Sequence, residues 1–122
     1  MVKILVVDDE LDILESVGML LETMGYNVKT ADRGRKAIGV LKKEKFDLVL
    51  LDILMPEMSG IQTLGKIRND AELKKQKVVF LTVVSPSKNG KGIIKKLKPT
   101  DYIEKPIDNV VFKRKIKKIL GS

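Results

Sequence analysis

Residues 3–9 read Lys-Ile-Leu-Val-Val-Asp-Asp, an apolar run rich in β-branched residues that ends in two aspartates. A short run of this kind, without alternating polar residues, predicts a strand that is buried on both faces. Such strands belong to parallel sheets that are covered by helices on both sides. The stretch therefore predicts an α/β fold and places Asp8 and Asp9 just beyond its first strand.

The rest of the chain alternates between helix and strand patterns. Leu14, Val17, Leu21 and Met24 recur at helical spacing, and Gly25 can end that helix. The other predicted strands span Asn27–Ala31, Asp47–Leu51, Lys77–Thr82 and Asp101–Glu104. The other predicted helices span Arg35–Lys43, a segment after Gly60 that uses Ile61, Leu64 and Ile67, Pro86–Lys98, and a last segment after an N-cap at Asp108.

This alternation gives five strand–helix pairs, and the 122 residues fit one domain over 1–122. Strands that alternate with helices predict a parallel sheet with helices on both faces. Right-handed crossovers leave few topologies. We expect a five-stranded, doubly wound, flavodoxin-like sheet with the strand order 2-1-3-4-5.

Two residue types are absent, since the sequence contains no cysteine and no histidine. Without cysteine the chain has no disulfide and no thiolate metal site. Without histidine it has no Ser-His-Asp arrangement and no His-ligated zinc. Any chemistry must rest on Asp, Glu, Lys, Ser and Thr, whose oxygens favour hard cations such as Mg²⁺.

No apolar run approaches the roughly 20 residues that span a bilayer. The apolar segment at residues 1–7 is too short for a signal peptide and is followed at once by two aspartates. We therefore expect a cytoplasmic protein without a membrane partner.

The chain carries 24 basic and 16 acidic residues, a net charge of +8. The densest basic run comprises Lys113, Arg114, Lys115, Lys117 and Lys118. A solvated helix face is the favoured interpretation, ahead of contact with an acidic partner. Aromatic residues are not interleaved with the run, so the pattern does not indicate direct nucleic-acid binding.

Ligands of open parallel sheets bind beyond the carboxyl ends of the strands. The residues that the sequence brings to this edge are Asp8, Asp9, Asp52, Thr82 and Lys105. Three carboxylates in one crevice repel each other, and a divalent cation such as Mg²⁺ relieves the repulsion. The candidate metal ligands are the carboxylates of Asp8, Asp9 and Asp52 and the backbone carbonyl of Leu54.

A carboxylate flanked by a metal ion, a lysine and a hydroxyl suits phosphoryl transfer, because that reaction depends on positioning and charge neutralisation. Asp52 is the candidate nucleophile and would form an acyl phosphate. Lys105 and Thr82 are the candidates for holding the oxygens of the transferred group.

These residues resemble the motif of response-regulator receiver domains, of the kind found in two-component signalling and chemotaxis. The resemblance covers the whole chain. The pieces that carry it are Asp8-Asp9, Asp52, Met55-Pro56, Gly60, Thr82 and Lys105-Pro106. Each piece alone is weak, but together, in order and each at or just beyond a strand end, they are specific.

The resemblance implies a histidine kinase as phosphodonor to Asp52, with Mg²⁺ as cofactor. It implies that Thr82 moves toward the phosphate, that Tyr102 rotates with it, and that the Lys105–Pro106 bond is cis. A downstream protein or output domain would meet the predicted fourth helix, fifth strand and fifth helix. Such a protein promotes its own phosphorylation and dephosphorylation and is not a turnover enzyme.

Three apolar residues depart from the family pattern. Val83 stands where the family usually has alanine or glycine, and Leu54 and Val84 stand where polar residues often guide the hydrolytic water. We expect these side chains to screen an acyl phosphate from water and so to prolong its lifetime.

Simpler interpretations exist for each residue. Asp8 and Asp9 could cap the first helix, Asp52 could end a strand, and Thr82, Lys105 and Tyr102 could be ordinary strand and surface residues. As a whole, the chain could be a degenerate receiver that binds proteins without being phosphorylated. An Asp-dependent phosphatase would need a second acid at the position of Leu54, and a nucleic-acid binder would need a recognition pattern that the sequence lacks.

Overall fold

The computed structural model describes residues 1–83 and 95–121. Strands and helices alternate from residue 3 to residue 82. The strands are β1 (Lys3–Val7), β2 (Asn27–Ala31), β3 (Leu48–Asp52), β4 (Val78–Thr82) and β5 (Asp101–Glu104). The helices are α1 (Leu11–Thr23), α2 (Gly34–Lys43), α3 (Gly60–Arg68) and the final helix (Asn109–Leu120).

The five strands form one parallel sheet in the order β2-β1-β3-β4-β5. The predicted fold class and strand order are therefore confirmed. Register pairs Val7 with Leu51 and Asp52 with Leu81, so β1, β3 and β4 end close together. This shared edge is where the predicted site residues lie.

The apolar strands build the core because their side chains alternate between two packed layers. One layer contains Leu5, Val7, Leu51 and Phe80 beneath α2 and α3. The other contains side chains of opposite orientation beneath α1 and the final helix, among them Ile4, Val6, Leu50, Leu81 and Phe112. All five residues of β3 and of β4 are buried, as their unbroken apolar sequences require.

Local signals set most of the boundaries. The strands β1, β2 and β5 have the predicted bounds, β4 and α2 differ from prediction by one residue at their first end, and β3 is shifted by one residue at both ends. Gly25 follows α1 with φ of +90°, and it and Tyr26 donate backbone hydrogen bonds to Glu22 and Leu21. This is the glycine-terminated helix end that the sequence predicts.

The helix predicted over Pro86–Lys98 lies largely outside the described residues. Within the described part, Lys95 and Lys96 are helical and Lys98 has a left-handed φ of 51°.

Arg68 ties the end of α3 to the segments that precede β4 and β5. Its guanidinium donates to the carbonyls of Lys74, Gln76, Leu97 and Lys98 at 2.6–3.1 Å. Burial lowers the pKa of Arg68. Two of these hydrogen bonds hold the entry to β4 and two hold the entry to β5, the strand that leads to Lys105.

The basic run lies on the final helix, whose other face packs on the sheet through Phe112 and Ile116. Its cations Lys113, Arg114, Lys117 and Lys118 are exposed. The half-buried Lys115 is the exception, and its Nζ donates to the carbonyl of Tyr102 at 2.6 Å. The exposed positions agree with the predicted solvated face. Among the described residues, no helix is long and apolar enough to cross a membrane.

The N-cap of the final helix offers a test of how that helix is anchored. Asp108 accepts hydrogen bonds from the backbone N–H groups of Val110 and Val111 at 2.9 and 3.1 Å. We expect Asp108→Ala to lower the free energy of unfolding by about 1 kcal/mol, because both N–H groups lose their acceptor. Asp108→Ser should retain most of the stability in urea unfolding followed by circular dichroism. An equal loss in both variants would contradict a capping role.

Candidate functional site

Five predicted site residues lie at the carboxyl edge of the sheet. Asp52 and Thr82 are the last residues of β3 and β4. Asp8 and Asp9 are the first two residues after β1, and Lys105 is the first residue after β5. Asp8, Asp52 and Thr82 are buried, whereas Asp9 is exposed. The parallel register thus brings together residues that are far apart in sequence.

Lys105 lies between two buried carboxylates. Its Nζ is 2.7 Å from Oδ2 of Asp8 and 3.5 Å from Oδ1 of Asp52. The shorter contact is to Asp8, whereas the sequence prediction treated Lys105 mainly as a partner of the group on Asp52. Since both carboxylates are buried, the ammonium group stabilises their negative charge where water cannot.

Backbone hydrogen bonds hold the two aspartates in place. Oδ1 of Asp8 accepts from the N–H of Glu10 at 2.9 Å, and Oδ1 of Asp52 accepts from the N–H of Leu54 at 3.3 Å. The N-cap of α1 is Glu10, without a side-chain cap. The simpler interpretation of Asp8 and Asp9 as caps of α1 is therefore not supported.

Gly60 lets α3 approach the end of β3. A Cβ atom at this position would lie 2.1 Å from the backbone oxygen of Asp52 and 2.8 Å from Cα of Ile53. The N–H of Gly60 donates to the carbonyl of Ile53 at 2.8 Å. Glycine is required here because any side chain would displace the strand end that carries Asp52.

The electrostatic environment disfavours the ionised form of Asp52. Burial, followed by the negative charge of Asp8, raises the pKa of Asp52 from 3.8 to about 6, and Lys105 only partly opposes the increase. Burial lowers the pKa of Lys105, but its hydrogen bond to Asp8 and the charges of both aspartates outweigh burial and raise it. Lys105 is thus a fixed positive charge at neutral pH.

The carboxylates form a donor set that fits a hard cation. One oxygen from each of Asp8, Asp9 and Asp52 lies within 4.8 Å of the others. Carboxylate oxygens are preferred ligands of Mg²⁺. A divalent cation would offset the repulsion that raises the pKa of Asp52, so the residues present fit such an ion.

Apolar side chains flank the buried aspartate. Leu54 and Val83, which follow β3 and β4, are 60% and 65% exposed. Val84, the third predicted apolar residue, lies outside the described residues. Tyr102 is half-buried on β5 and stacks against Phe80 with ring centroids 6.0 Å apart.

The peptide bond between Lys105 and Pro106 is cis, in agreement with the expectation from sequence.

Two features of the site were not apparent in the sequence. The backbone N–H of Glu10 positions Asp8, and no side-chain pattern marks a backbone donor. The short approach of Lys105 to Asp8 depends on side-chain conformation, although Lys105 itself was identified. Asp8 was predicted only as a metal ligand, and its ion pair with Lys105 is an additional role.

The family described as the response regulator receiver domain matches residues 4–117 of the chain. The chain belongs to the response regulator receiver domain family. The buried Asp52 of this receiver domain occupies the end of β3.

Relatives share the whole receiver domain. The protein PilH of Pseudomonas aeruginosa is 31% identical over 122 residues, which cover all of both chains. The transcriptional regulatory protein CrdR of Helicobacter pylori is 34% identical over 120 residues, 98% of this chain and 55% of CrdR. This receiver domain therefore spans about half the length of CrdR.

The fold is also shared with solved structures. The response regulator TrrA of Thermotoga maritima, solved in complex with Mg²⁺-BeF, is 35% identical and superimposes with a TM-score of 0.83. The match covers 98% of this receiver domain and 99% of TrrA.

The raised pKa of Asp52 has a consequence for stability. Because the folded state keeps the Asp52 proton to higher pH than the unfolded chain, folding becomes less favourable as pH rises from about 4 to 6. The penalty is fully present above that window and absent below it. Asp52→Asn should therefore raise the free energy of unfolding of the metal-free protein at pH 7 by about 1–2 kcal/mol, after allowance for solvent screening.

Thermal and urea unfolding in a chelator at several pH values check this expectation. The gain from Asp52→Asn should shrink toward zero as pH falls to about 4. Glu15→Gln, an exposed carboxylate on α1, serves as the control and should show little change. A destabilised Asp52→Asn protein at pH 7 would contradict the assigned electrostatics.

Proposed function

We propose that this receiver domain is a phosphorylation-driven switch that receives a phosphoryl group from a histidine kinase on Asp52 in a Mg²⁺-dependent reaction. The observation that carries the proposal is the buried Asp52 carboxylate beside Asp8, Asp9 and Lys105. Membership of the receiver family supports the proposal over a degenerate receiver that only binds proteins.

In the proposed reaction, a carboxylate oxygen of Asp52 attacks the phosphorus atom of the donor. The new O–P bond forms as the P–N bond to the donor imidazole breaks, and the imidazole keeps the bonding electrons and takes a proton. Asp52 must be ionised to attack, and burial and the negative charge of Asp8 oppose its ionisation, whereas Lys105 favours it. In this proposal Lys105 holds negative oxygens of the incoming group, and Thr82, the last residue of β4, contributes its hydroxyl.

A bound Mg²⁺ would supply charge neutralisation for the carboxylates and the phosphoryl oxygens. The residues that would hold it are Asp8, Asp9 and Asp52, with the carbonyl of Leu54 as a further candidate. Asp8 also positions Lys105, because its Oδ2 accepts a hydrogen bond from the Lys105 ammonium at 2.7 Å.

The output step is proposed to use Thr82 and Tyr102. The two residues lie on the neighbouring strands β4 and β5, and Tyr102 stacks on Phe80, which is also on β4. A shift of Thr82 toward a phosphoryl group would move β4 and so change the packing of the Tyr102 ring on Phe80. The proposed partner, a downstream protein or output domain, would contact β5, the final helix and the predicted helix that precedes β5. A cytoplasmic location fits such partners.

The first experiment is intact-mass measurement after incubation with Mg²⁺ and either acetyl phosphate or a phosphorylated histidine kinase. One added phosphoryl group is expected, and it should be absent in Asp52→Asn and in the presence of a chelator. Asp47→Asn, an exposed aspartate just before β3, is the matched control and should be phosphorylated normally. Failure with both donors, also in Val83→Ala, would favour the degenerate receiver instead.

The apolar flank of the site generates a second expectation. Leu54 and Val83 are exposed beside the buried Asp52, and neither side chain can orient a water molecule by hydrogen bonding. We expect a slowly hydrolysed acyl phosphate, and we expect Leu54→Asn to shorten its lifetime several-fold because the amide can position a water molecule.

The decay of the phosphorylated mass after removal of the donor measures this lifetime. Met19→Asn is the matched control, since Met19 is 59% exposed on α1 and remote from the strand ends. Its decay should equal that of the unaltered protein. Rapid decay that Leu54→Asn leaves unchanged would refute the screening hypothesis.

A further inference from the structure

A groove between α2 and α3 lies outside the carboxylate site. It encloses about 390 Å³. The residues that line it include Arg33, Arg35, Met58, Gln62, Gly65 and Lys66. One side of the α2–α3 groove is the start of α2, the other is the outer surface of α3, and one end is closed by the loop that follows β3.

The floor of the α2–α3 groove is fixed by close packing. A Cβ atom at Gly34 would lie 2.1 Å from Oγ1 of Thr63 and 3.2 Å from Sδ of Met58, so the start of α2 rests directly on α3 and the loop. In that loop the N–H of Met58 donates to the carbonyl of Pro56 at 2.7 Å across Glu57, whose φ is 66°. A tight three-residue turn of this kind sets the position of Met58. The groove is therefore preformed.

The rim of the α2–α3 groove is positively charged. Three exposed cations, Arg33, Arg35 and Lys66, line the rim. Among the described lining residues, the acid is Glu57. Arg33 is partly neutralised because its Nε lies 3.1 Å from Oδ1 of Asp32. In the described part of the chain, Arg35 and Lys66 have no carboxylate within ion-pairing distance. These two cations are available to a negatively charged ligand.

The wall between the cations is open and apolar. Gly65 sits in the interior of α3, where a glycine costs helix stability of about 1 kcal/mol relative to alanine. A Cβ atom there would meet nothing within 4 Å. Because Gly65 has no side chain, the groove keeps space for one apolar side chain between Met58 and Lys66.

We propose that the α2–α3 groove docks a short acidic peptide segment of a partner protein. One apolar side chain of that segment would pack over Gly65 and Met58, and flanking carboxylates would pair with Arg35 and Lys66. A rim of separated cations around an apolar wall fits a peptide better than a small anion, which would use only the charges. Among the described residues that line the groove there is no aromatic side chain, so they offer no platform for nucleic-acid bases.

This docking site is independent of the phosphoacceptor role, because none of the groove residues belongs to the carboxylate site. The two proposals can therefore fail separately. Asp52→Asn should bind the peptide as well as the unaltered protein does.

Fluorescence anisotropy of the whole chain with a labelled peptide tests the proposal. The probe carries one central leucine with two glutamates on each side, and its comparison peptides replace the leucine by glycine or the glutamates by lysines. We expect Gly65→Leu to weaken binding at least tenfold by filling the groove. The double variant Arg35→Glu, Lys66→Glu should weaken it at least tenfold by reversing the rim charge.

Matched controls separate groove occupancy from general effects. Gly39→Leu makes the same substitution in α2, at an exposed position where an added Cβ also meets nothing within 4 Å. Lys74→Glu, Lys75→Glu makes the same change in net charge at exposed positions beyond α3. Both should bind as the unaltered protein does, and circular dichroism should show that all four variants are folded.

Three results would overturn the proposal. The first is absence of binding to the leucine–glutamate peptide. The second is equal weakening in the controls, which would indicate a nonspecific charge effect. The third is equal binding of the glycine peptide, or competition by inorganic phosphate at comparable concentration, which would indicate a simple anion site.

Discussion

The contact of Lys105 with two buried carboxylates is the interaction on which the rest of the site depends. Its ammonium nitrogen lies 2.7 Å from Asp8 and 3.5 Å from Asp52. Two carboxylates that are removed from water at the end of adjacent strands would otherwise repel each other strongly. Lys105 relieves part of this repulsion, but one positive charge cannot neutralise three aspartates. The three carboxylates therefore form a donor set that fits a further cation, as the proposed function requires.

The sheet explains how this arrangement is held. Strands β1, β3 and β4 are almost wholly apolar and buried, so the hydrophobic effect fixes their register and therefore the positions of the polar residues at their ends. Gly60 allows α3 to approach the end of β3 closely, because glycine has no side chain that would clash with the strand backbone. Arg68 holds the segments that precede β4 and β5 through four carbonyls. Burial of charge at the site costs free energy, and the burial of apolar side chains in the same sheet offsets this cost.

The sequence was sufficient to predict the elements that depend on local patterns. Apolar runs identified β1, β3 and β4. Asp108 and Gly25 identified helix ends, because capping and left-handed conformations depend on single residue types. The carboxyl-edge rule then predicted that Asp8, Asp9, Asp52, Thr82 and Lys105 would converge. The structure brings the strand ends that carry them together.

Features that depend on three-dimensional packing could not be predicted in this way. The preference of Lys105 for Asp8 depends on side-chain conformation across two intervening strands. The α2–α3 groove depends on the close approach of Gly34 to Thr63, which no spacing in the sequence records. The functional roles of the converged residues are proposals that rest on their chemistry and on family membership.

Isothermal titration calorimetry with Mg²⁺ tests most directly whether the carboxylate cluster is a cation site that prepares Asp52. We predict a single site in the unaltered protein, with affinity at least tenfold lower in Asp9→Asn because one carboxylate of the donor set is lost. Asp12→Asn, an exposed carboxylate in the first turn of α1, should bind as the unaltered protein does. Absence of Mg²⁺ binding, or binding that Asp9→Asn leaves unchanged, would contradict a cation site at these three aspartates.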